Sequence, residues 1–123
     1  HEGIDFSAPK GTPVHVTGDG RVIQVTRSKR GYGNEIKVEH GYGYVTLYAH
    51  LSAFKVRRGQ KVKRGQVIGL VGNTGKSTAP HLHYEVRKNN HPINPIYYFF
   101  NDLTPDEYSK MLELSKIPTQ SMD

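Results

Sequence analysis

Short segments in which apolar and polar residues alternate follow one another through most of this 123-residue chain. A period of two sends successive side chains to opposite faces of a β-strand. Glycine- and proline-rich turns separate the segments, as they do in antiparallel sheets. The pattern therefore predicts a mainly β fold of many short strands. The predicted strands are Val14–Val16, Arg21–Thr26, Glu35–Glu39, Tyr44–His50 and Pro80–Val86.

The last of these strands carries a His-x-His pair. His81, His83 and Glu85 alternate with the apolar residues Leu82 and Tyr84, so both imidazoles point to the same side of the strand. Imidazole nitrogen is a common zinc ligand and a common general base near neutral pH. The two histidines could instead be ordinary hydrogen-bonding partners, and this strand alone does not exclude that interpretation.

Two further segments offer side chains of the same kind. His1 and Asp5 are four residues apart in a segment predicted to be extended, where an even spacing keeps both on one face. Asp5 taken by itself could instead cap a turn. The strand Tyr44–His50 is expected to place its polar face, which ends in His50, toward the same site. That predicted polar face consists of Tyr44, Thr46, Tyr48 and His50, opposite Val45, Leu47 and Ala49.

Several loops have recognisable turn chemistry. Two Arg-Gly-Gln sequences, at 58–60 and 64–66, are each followed by a valine strand and predict tight turns at a sheet edge. The small-residue segment 73–80 leads into the His-x-His strand, and glycine there permits close approach of another chain. We interpret this segment as the wall of a substrate groove, with a solvated connector as the alternative.

The C-terminal part of the chain differs in character from the rest. The aromatic run Tyr97–Phe100 favours packing under the sheet over ligand stacking. Thr104 and Glu107 form a capping box with Pro105 at the first helical position, which predicts a short α-helix from about Pro105 to Lys116. We therefore predict that the chain is divided into two units. These are a core domain at 1–96 and an aromatic and helical extension at 97–123 that packs on the core.

The composition restricts the possible binding partners and the cellular compartment of the protein only slightly. The formal net charge of +6 suggests an anionic partner, such as an acidic wall polymer, nucleic acid or a membrane surface, although a solvated basic surface explains it equally well. The absence of cysteine excludes disulfides and cysteine-ligated zinc. No apolar run approaches the roughly 20 residues of a membrane span. The chain opens at His1 rather than Met, so we expect a processed piece, with room for a membrane anchor or other domains ahead of it.

Taken together, three motifs in this order and at these separations resemble those of the M23 metallopeptidases, the LytM or lysostaphin-like family. They are His1-x-x-x-Asp5, Tyr48-Ala49-His50 and His81-Leu82-His83, and the surrounding sequence matches as well over residues 1 to about 96. The matching flanks include Gly31-Tyr32-Gly33-Asn34, Arg64-Gly65-Gln66-Val67-Ile68-Gly69 and Pro80-His81-Leu82-His83-Tyr84-Glu85-Val86.

The resemblance implies a compact antiparallel β fold with a groove across one sheet. It also implies a single zinc ion bound by His1, Asp5 and His83. It also implies that His50 and His81 act beside the metal as catalytic residues. The implied reaction is hydrolysis of peptide bonds in the stem peptides or cross-links of peptidoglycan, in the periplasm or cell envelope of a bacterium. We further expect Asn34, Tyr48 and Thr78 to contact the substrate. The sequence does not assign the separate roles of His50 and His81.

Three other functions are weighed against this interpretation. A non-catalytic LytM-like regulator that activates another cell-wall hydrolase would typically have gaps in the metal and catalytic set, whereas all five positions are filled here. A lipoyl- or biotinyl-type carrier domain needs a lysine beside a methionine at a hairpin tip, and Met111 and Met122 both lie in the C-terminal extension. A nucleic-acid binder is supported only by charge and tyrosines, so we expect no nucleic acid partner.

Overall fold

A computed structural model describes residues 3–75 and 79–93 of the chain. These residues form ten β-strands in two antiparallel sheets, which confirms the predicted fold class. No helix that they contain is long and apolar enough to cross a membrane. The strands are β1 (Ile4–Ser7), β2 (Pro13–His15), β3 (Gly20–Thr26), β4 (Glu35–Gly41), β5 (Tyr44–Ala49), β6 (Leu51–Phe54), β7 (Lys61–Val62), β8 (Val67–Val71), β9 (His81–Lys88) and β10 (His91–Ile93).

The larger sheet is organised around β9. Its strands run in the order β1-β9-β5-β4-β3-β7, and β10 pairs with the second half of β9 beyond the end of β1. The smaller sheet has the order β2-β8-β6. A bridge between Gly72 and His81 links the end of the small sheet to the start of β9. The His-x-His strand is therefore held on both sides along its length.

The hydrophobic core involves both sheets, and burial of its apolar side chains is the main stabilising contribution to such a fold. Alternate residues of β9 supply its centre, with neighbours from the adjacent strands. The most deeply buried members are Val16, Val22, Ile36, Val38, Tyr48, Leu51, Ile68, Tyr84 and Val86. One face of the large sheet is thus committed to the core, which leaves the other face for polar chemistry.

The predicted orientation of β5 is wrong. Tyr48 lies opposite Tyr84 in the ladder and belongs to the core, while Leu47 lies opposite Glu85 and Ala49 opposite His83. The tyrosine and threonine face of β5 is buried because its hydroxyl groups satisfy one another. The Tyr48 hydroxyl accepts hydrogen bonds from the Thr46 hydroxyl (2.9 Å) and from the backbone N–H of Thr17 (3.2 Å).

The predicted Arg-Gly-Gln turns are confirmed. Gly59 and Gly65 both adopt positive φ angles, of 90° and 87°. Each following glutamine folds back and accepts a hydrogen bond from a backbone N–H three residues earlier, Gln60 from Arg57 and Gln66 from Lys63.

Some predictions concern residues outside those described. His1 and Thr78 are among them, as are the aromatic run at 97–100 and the helix at 105–116. The boundary between a core domain at 1–96 and an extension at 97–123 therefore stays a prediction.

A buried carboxyl begins β4. Glu35 is only 9% exposed and accepts a hydrogen bond from the Gln24 side chain at 3.2 Å, while its Oε2 has no hydrogen-bond partner within 3–75 and 79–93. Burial raises the pKa of Glu35, and the nearby charges of Lys37 and Arg87 only partly oppose this. The ionised form of Glu35 is therefore less favourable in the folded protein than in the unfolded chain.

We predict that Tyr48→Phe lowers the free energy of unfolding by about 1–3 kcal/mol, because it leaves the buried backbone N–H of Thr17 without its acceptor and removes the bond to the Thr46 hydroxyl. Urea unfolding followed by circular dichroism measures the change. Tyr42→Phe is the matched control, since Tyr42 is 92% exposed, and it should leave stability unchanged. Equal stability of the Tyr48→Phe variant and the wild type would contradict the burial of this hydroxyl.

We predict that Glu35→Gln stabilises the protein at pH 7 and that its advantage shrinks as pH falls to about 4.5, the ordinary value for this carboxyl. Above that pH the unfolded chain loses the proton of Glu35 before the folded protein does, so the wild type loses stability with rising pH. Glutamine does not titrate. Denaturant unfolding between pH 4 and 8 measures this, with Glu39→Gln, exposed on the same strand, as control. A constant difference across the range would rule out the proposed cause.

Candidate active site and metal centre

Three histidines and one aspartate meet on the face of the large sheet that points away from the core. Asp5 pairs with His83, and His83 pairs with Ala49, so these residues form one row across β1, β9 and β5. His81 lies two residues before His83 on the same face. His50 directly follows Ala49 at the end of β5. All four polar side chains are nearly inaccessible, from 0% exposure for His83 to 5% for the others at most.

His83 is held between two carboxylates. Its Nδ1 lies 2.8 Å from Asp5 Oδ1, and its Nε2 lies 2.8 Å from Glu85 Oε2. The ring of Tyr32 stacks on the imidazole, with centroids 5.5 Å apart and planes inclined by 17°. Both edges and one face of the His83 ring are therefore occupied, which fixes its orientation.

Glu85 is completely buried and is surrounded by donors. Its Oε1 accepts two hydrogen bonds from the Arg87 guanidinium, at 2.9 and 2.8 Å, and its Oε2 accepts one from the Tyr32 hydroxyl. Burial acts against ionisation, but the bonds from His83, Tyr32 and Arg87 prevail and hold the pKa of Glu85 below its ordinary value. Glu85 is thus an ionised group inside the protein, paired with Arg87.

His81 and His50 are oriented by backbone carbonyls. His81 Nδ1 lies 2.8 Å from the Ala79 carbonyl oxygen, and His50 Nδ1 lies 2.6 Å from that of Thr74. Because a carbonyl oxygen only accepts, each Nδ1 carries the hydrogen, and each neutral ring keeps a lone pair on Nε2. The two rings are neighbours, with centroids 4.7 Å apart.

His50 reaches the site through an unusual backbone conformation. Its φ angle of 63° lies in the left-handed region, which costs a residue other than glycine on the order of 1–3 kcal/mol. Two contacts hold it there: its backbone N–H donates to the Tyr32 carbonyl at 2.9 Å, and its ring donates to Thr74. Burial lowers the pKa of His50, against the opposing hydrogen bond to Thr74, so the neutral form is favoured. A neutral imidazole can accept a proton.

Two loops form a wall next to His50. Gly33 and Gly75 both have positive φ and lie against each other so closely that a Cβ on either would collide with backbone atoms of the other. Asn34 ties the same loops to β6: its amide donates to the Leu51 carbonyl at 3.1 Å, and its backbone N–H donates to the Thr74 hydroxyl at 3.1 Å. A cavity of about 540 Å³ opens there, lined by Arg27, Ser28, Lys29, Asn34, Thr74 and Gly75.

The predicted substrate contacts have different outcomes. Asn34 lines this cavity, although much of its hydrogen-bonding capacity is used within the wall. Tyr48 does not face the groove as expected, since it is fully buried on the opposite side of the sheet. Thr78 lies outside the described residues. Thr74 and Gly75 support the interpretation of the segment beginning at residue 73 as a groove wall.

The residues around Asp5 fit a divalent metal such as zinc. Asp5 Oδ2 is buried and has no hydrogen-bond partner in the part of the chain that the structure describes. Asp5 Oδ1 and His83 Nδ1 lie side by side, and a carboxylate oxygen and an imidazole nitrogen are ligand atoms that zinc prefers. No group of three potential ligands occurs in residues 3–75 and 79–93; His1, the third expected ligand, precedes them. The backbone at Gly3 runs directly against the His83 ring.

Sequence reasoning did not single out four residues that shape this site: Tyr32, Thr74, Glu85 and Arg87. Glu85 and Arg87 could have been found, because they continue the same alternation as His81 and His83 along β9. Tyr32 and Thr74 lie in loops and act partly through their backbone carbonyls, for which no side-chain pattern exists.

Comparisons with known proteins agree with this geometry. The model of peptidase family M23 matches residues 1–95. The DD-carboxypeptidase/endopeptidase Mpg of Neisseria meningitidis is 55% identical over 96 residues, which cover 78% of this chain and 22% of that protein. The peptidoglycan DD-endopeptidase ShyA of Vibrio cholerae is 52% identical over 94 residues, or 76% of this chain and 22% of that one. The chain thus spans about a fifth of the length of these relatives.

Solved structures give the same assignment. The catalytic domain of lysostaphin from Staphylococcus simulans superimposes with a TM-score of 0.75 at 37% identity, covering 81% of this chain and 79% of that one. A zinc-containing peptidase from Vibrio cholerae gives a TM-score of 0.73 at 49% identity, covering 76% of this chain and 28% of that one. The match to the family model over most of the chain, the shared antiparallel fold and these likenesses show that the chain belongs to peptidase family M23.

Proposed function

We propose that this chain is the peptidase domain of a zinc-dependent endopeptidase that hydrolyses peptide bonds in peptidoglycan. The observation that carries the proposal is the meeting of Asp5, His50, His81 and His83 on one buried polar face, next to the loop wall whose Thr74 carbonyl orients His50. The names of the relatives Mpg and ShyA, both endopeptidases, support the reaction class.

We assign one zinc ion to His1, Asp5 and His83. Two of these proposed ligands lie together in the structure, and Gly3, two residues after His1 in the sequence, lies against the His83 ring. Zinc held by three protein ligands acts as a Lewis acid and lowers the pKa of a bound water to about 7. The described residues hold the two ligand side chains in position: Glu85 and Tyr32 orient His83, and the pairing of β1 with β9 places Asp5 opposite it.

The two remaining histidines handle protons. His50 and His81 each donate Nδ1–H to a backbone carbonyl and keep Nε2 as the basic atom. One of them takes the proton from the attacking water, and the other stabilises the charge on the carbonyl oxygen or protonates the leaving amine. The one glutamate at this site, Glu85, hydrogen-bonds His83, Tyr32 and Arg87 among the described residues, so we assign both proton transfers to His50 and His81.

The substrate binds along the polar face and against the loop wall. Asn34 and Thr78 remain proposed contacts there, whereas Tyr48 is not retained. The +6 net charge suits an acidic polymer, and among the described residues Arg27 and Lys29 bring part of that charge to the cavity. Because peptidoglycan lies outside the cytoplasm, we place the domain in the periplasm or cell envelope.

We predict that the zinc-loaded protein releases new muropeptides from purified peptidoglycan, and that mass spectrometry identifies the bond cut. The control is the same protein after chelation and removal of metal, which should be inactive and should recover on addition of zinc. Sacculi that are bound but never cut by zinc-loaded protein would exclude the endopeptidase and favour the non-catalytic regulator of a wall hydrolase.

We predict that His50→Ala and His81→Ala each lower turnover by roughly 10² to 10⁴, the usual contribution of one acid–base group, while zinc stays bound. Muropeptide release gives the rate, and elemental analysis gives the metal content. His15→Ala is the matched control and should retain full activity, since this exposed histidine on β2 bonds the Gly65 carbonyl and lies outside the proposed site. Loss of zinc from either site variant would mean that a ligand had been mistaken for a catalytic residue.

A further inference from the structure

Four consecutive outward positions of β9 carry His81, His83, Glu85 and Arg87. The first two belong to the proposed site, and the last two lie progressively farther from it along the strand. Glu85 is nevertheless completely buried, and Arg87 is largely covered, with 25% of its side chain exposed. A buried ion pair is costly unless every polar atom in it is satisfied. Its presence directly behind a proposed metal ligand therefore calls for an explanation.

The Glu85 carboxylate is hydrogen-bonded on both oxygens by groups that can donate. Arg87 gives two N–H groups to Oε1, and the guanidinium has no acceptor atom. Oε2 receives the Tyr32 hydroxyl hydrogen and faces His83 Nε2 at 2.8 Å. A lone pair on that nitrogen would face a carboxylate oxygen at hydrogen-bonding distance, with no hydrogen between them. His83 Nε2 must therefore carry a hydrogen. The same reasoning gives a hydrogen to Nδ1, which lies 2.8 Å from Asp5 Oδ1, and a metal bound by Asp5 and His83 would take the place of that second hydrogen.

We propose that Glu85, held by Arg87 and Tyr32, is a positioning residue that keeps the proton of His83 on Nε2 and thereby presents Nδ1 to the metal. This inference rests on the proposed zinc site at Asp5 and His83. It assigns His83 the opposite ring pattern to His50 and His81, whose Nδ1 atoms carry the hydrogen. A carboxylate behind a metal-binding imidazole fixes its tautomer and increases its basicity.

Tyr32 takes part in two ways. Its hydroxyl donates to Glu85 Oε2, and its ring covers one face of His83. Its backbone carbonyl also accepts the N–H of His50. The loop that carries Tyr32 thus connects the carboxylate behind the metal ligand with the strained backbone of a proposed catalytic histidine.

The experiment measures zinc affinity in competition with a chelator of known affinity. Glu85→Gln should weaken binding by about 10- to 100-fold, the usual effect of removing such a partner. Glu39→Gln removes the same charge at an exposed position of β4 and should leave the zinc affinity unchanged.

Arg87→Gln gives a second and sharper test. Removal of a positive charge by itself should attract Zn²⁺ more strongly, whereas release of Glu85 from its partner should weaken binding. We expect weaker binding, with Arg58→Gln, an exposed arginine, as the matched control. If Glu85→Gln does not fold, as judged by circular dichroism of the zinc-free protein, this variant decides the question.

Nitrogen-15 NMR of the zinc-loaded wild type reports which ring nitrogen of His83 carries the hydrogen. A merely structural role of Glu85 would not fix that position. The spectrum should show the His83 proton on Nε2 and none on Nδ1. A proton on Nδ1, or wild-type affinity in both Glu85→Gln and Arg87→Gln, would overturn this inference and leave the proposed zinc site standing. A wild-type protein that takes up no zinc would overturn both.

Discussion

The burial of polar groups on the outer face of the large sheet is the constraint on which this site depends. Asp5, His81, His83 and Glu85 lose almost all contact with water, and a buried polar group is costly unless it is hydrogen-bonded. Each imidazole therefore has at least one nitrogen bonded to a fixed protein acceptor, and His83 has a carboxylate at both nitrogens. The same bond decides which nitrogen of the ring remains for chemistry, so the requirement for stability also sets the protonation pattern of the site.

The His50 ring is directed into the site by its own backbone conformation and by carbonyl acceptors in two loops. A regular strand would continue β5 through residue 50 and send its side chain back toward the core face, where Tyr48 lies. The left-handed conformation of His50 prevents this and turns the ring toward His81. Its cost is offset by bonds from two loops that are held together at Gly33 and Gly75, where only glycine fits. Rigid loops and a strained histidine therefore form one unit.

The strands and the His-x-His face could be predicted from the sequence because β9 alternates strictly and has a chemically distinct set on each side. The orientation of β5 could not, since Tyr48 and Thr46 are polar by residue type but satisfy each other's hydroxyl groups inside the core. A period of two identifies two faces without saying which is buried. His50 does lie next to His81, but it gets there through a left-handed backbone conformation rather than the continuous strand that the prediction assumed. The roles of the Tyr32 and Thr74 carbonyls were not predictable, because a backbone atom leaves no signature in residue type.

The separation of the two faces also links stability to metal binding. The core face contributes favourable burial, whereas the outer face places carboxylate oxygens of Asp5 and Glu35 where no donor within the described residues reaches them. Such atoms destabilise the folded chain. A cation beside Asp5 would remove part of this penalty, and any ligand that binds only the folded state shifts the folding equilibrium toward it. In the proposed zinc site, the metal that serves hydrolysis would therefore also offset part of the energetic cost of burying these polar groups in a small β domain.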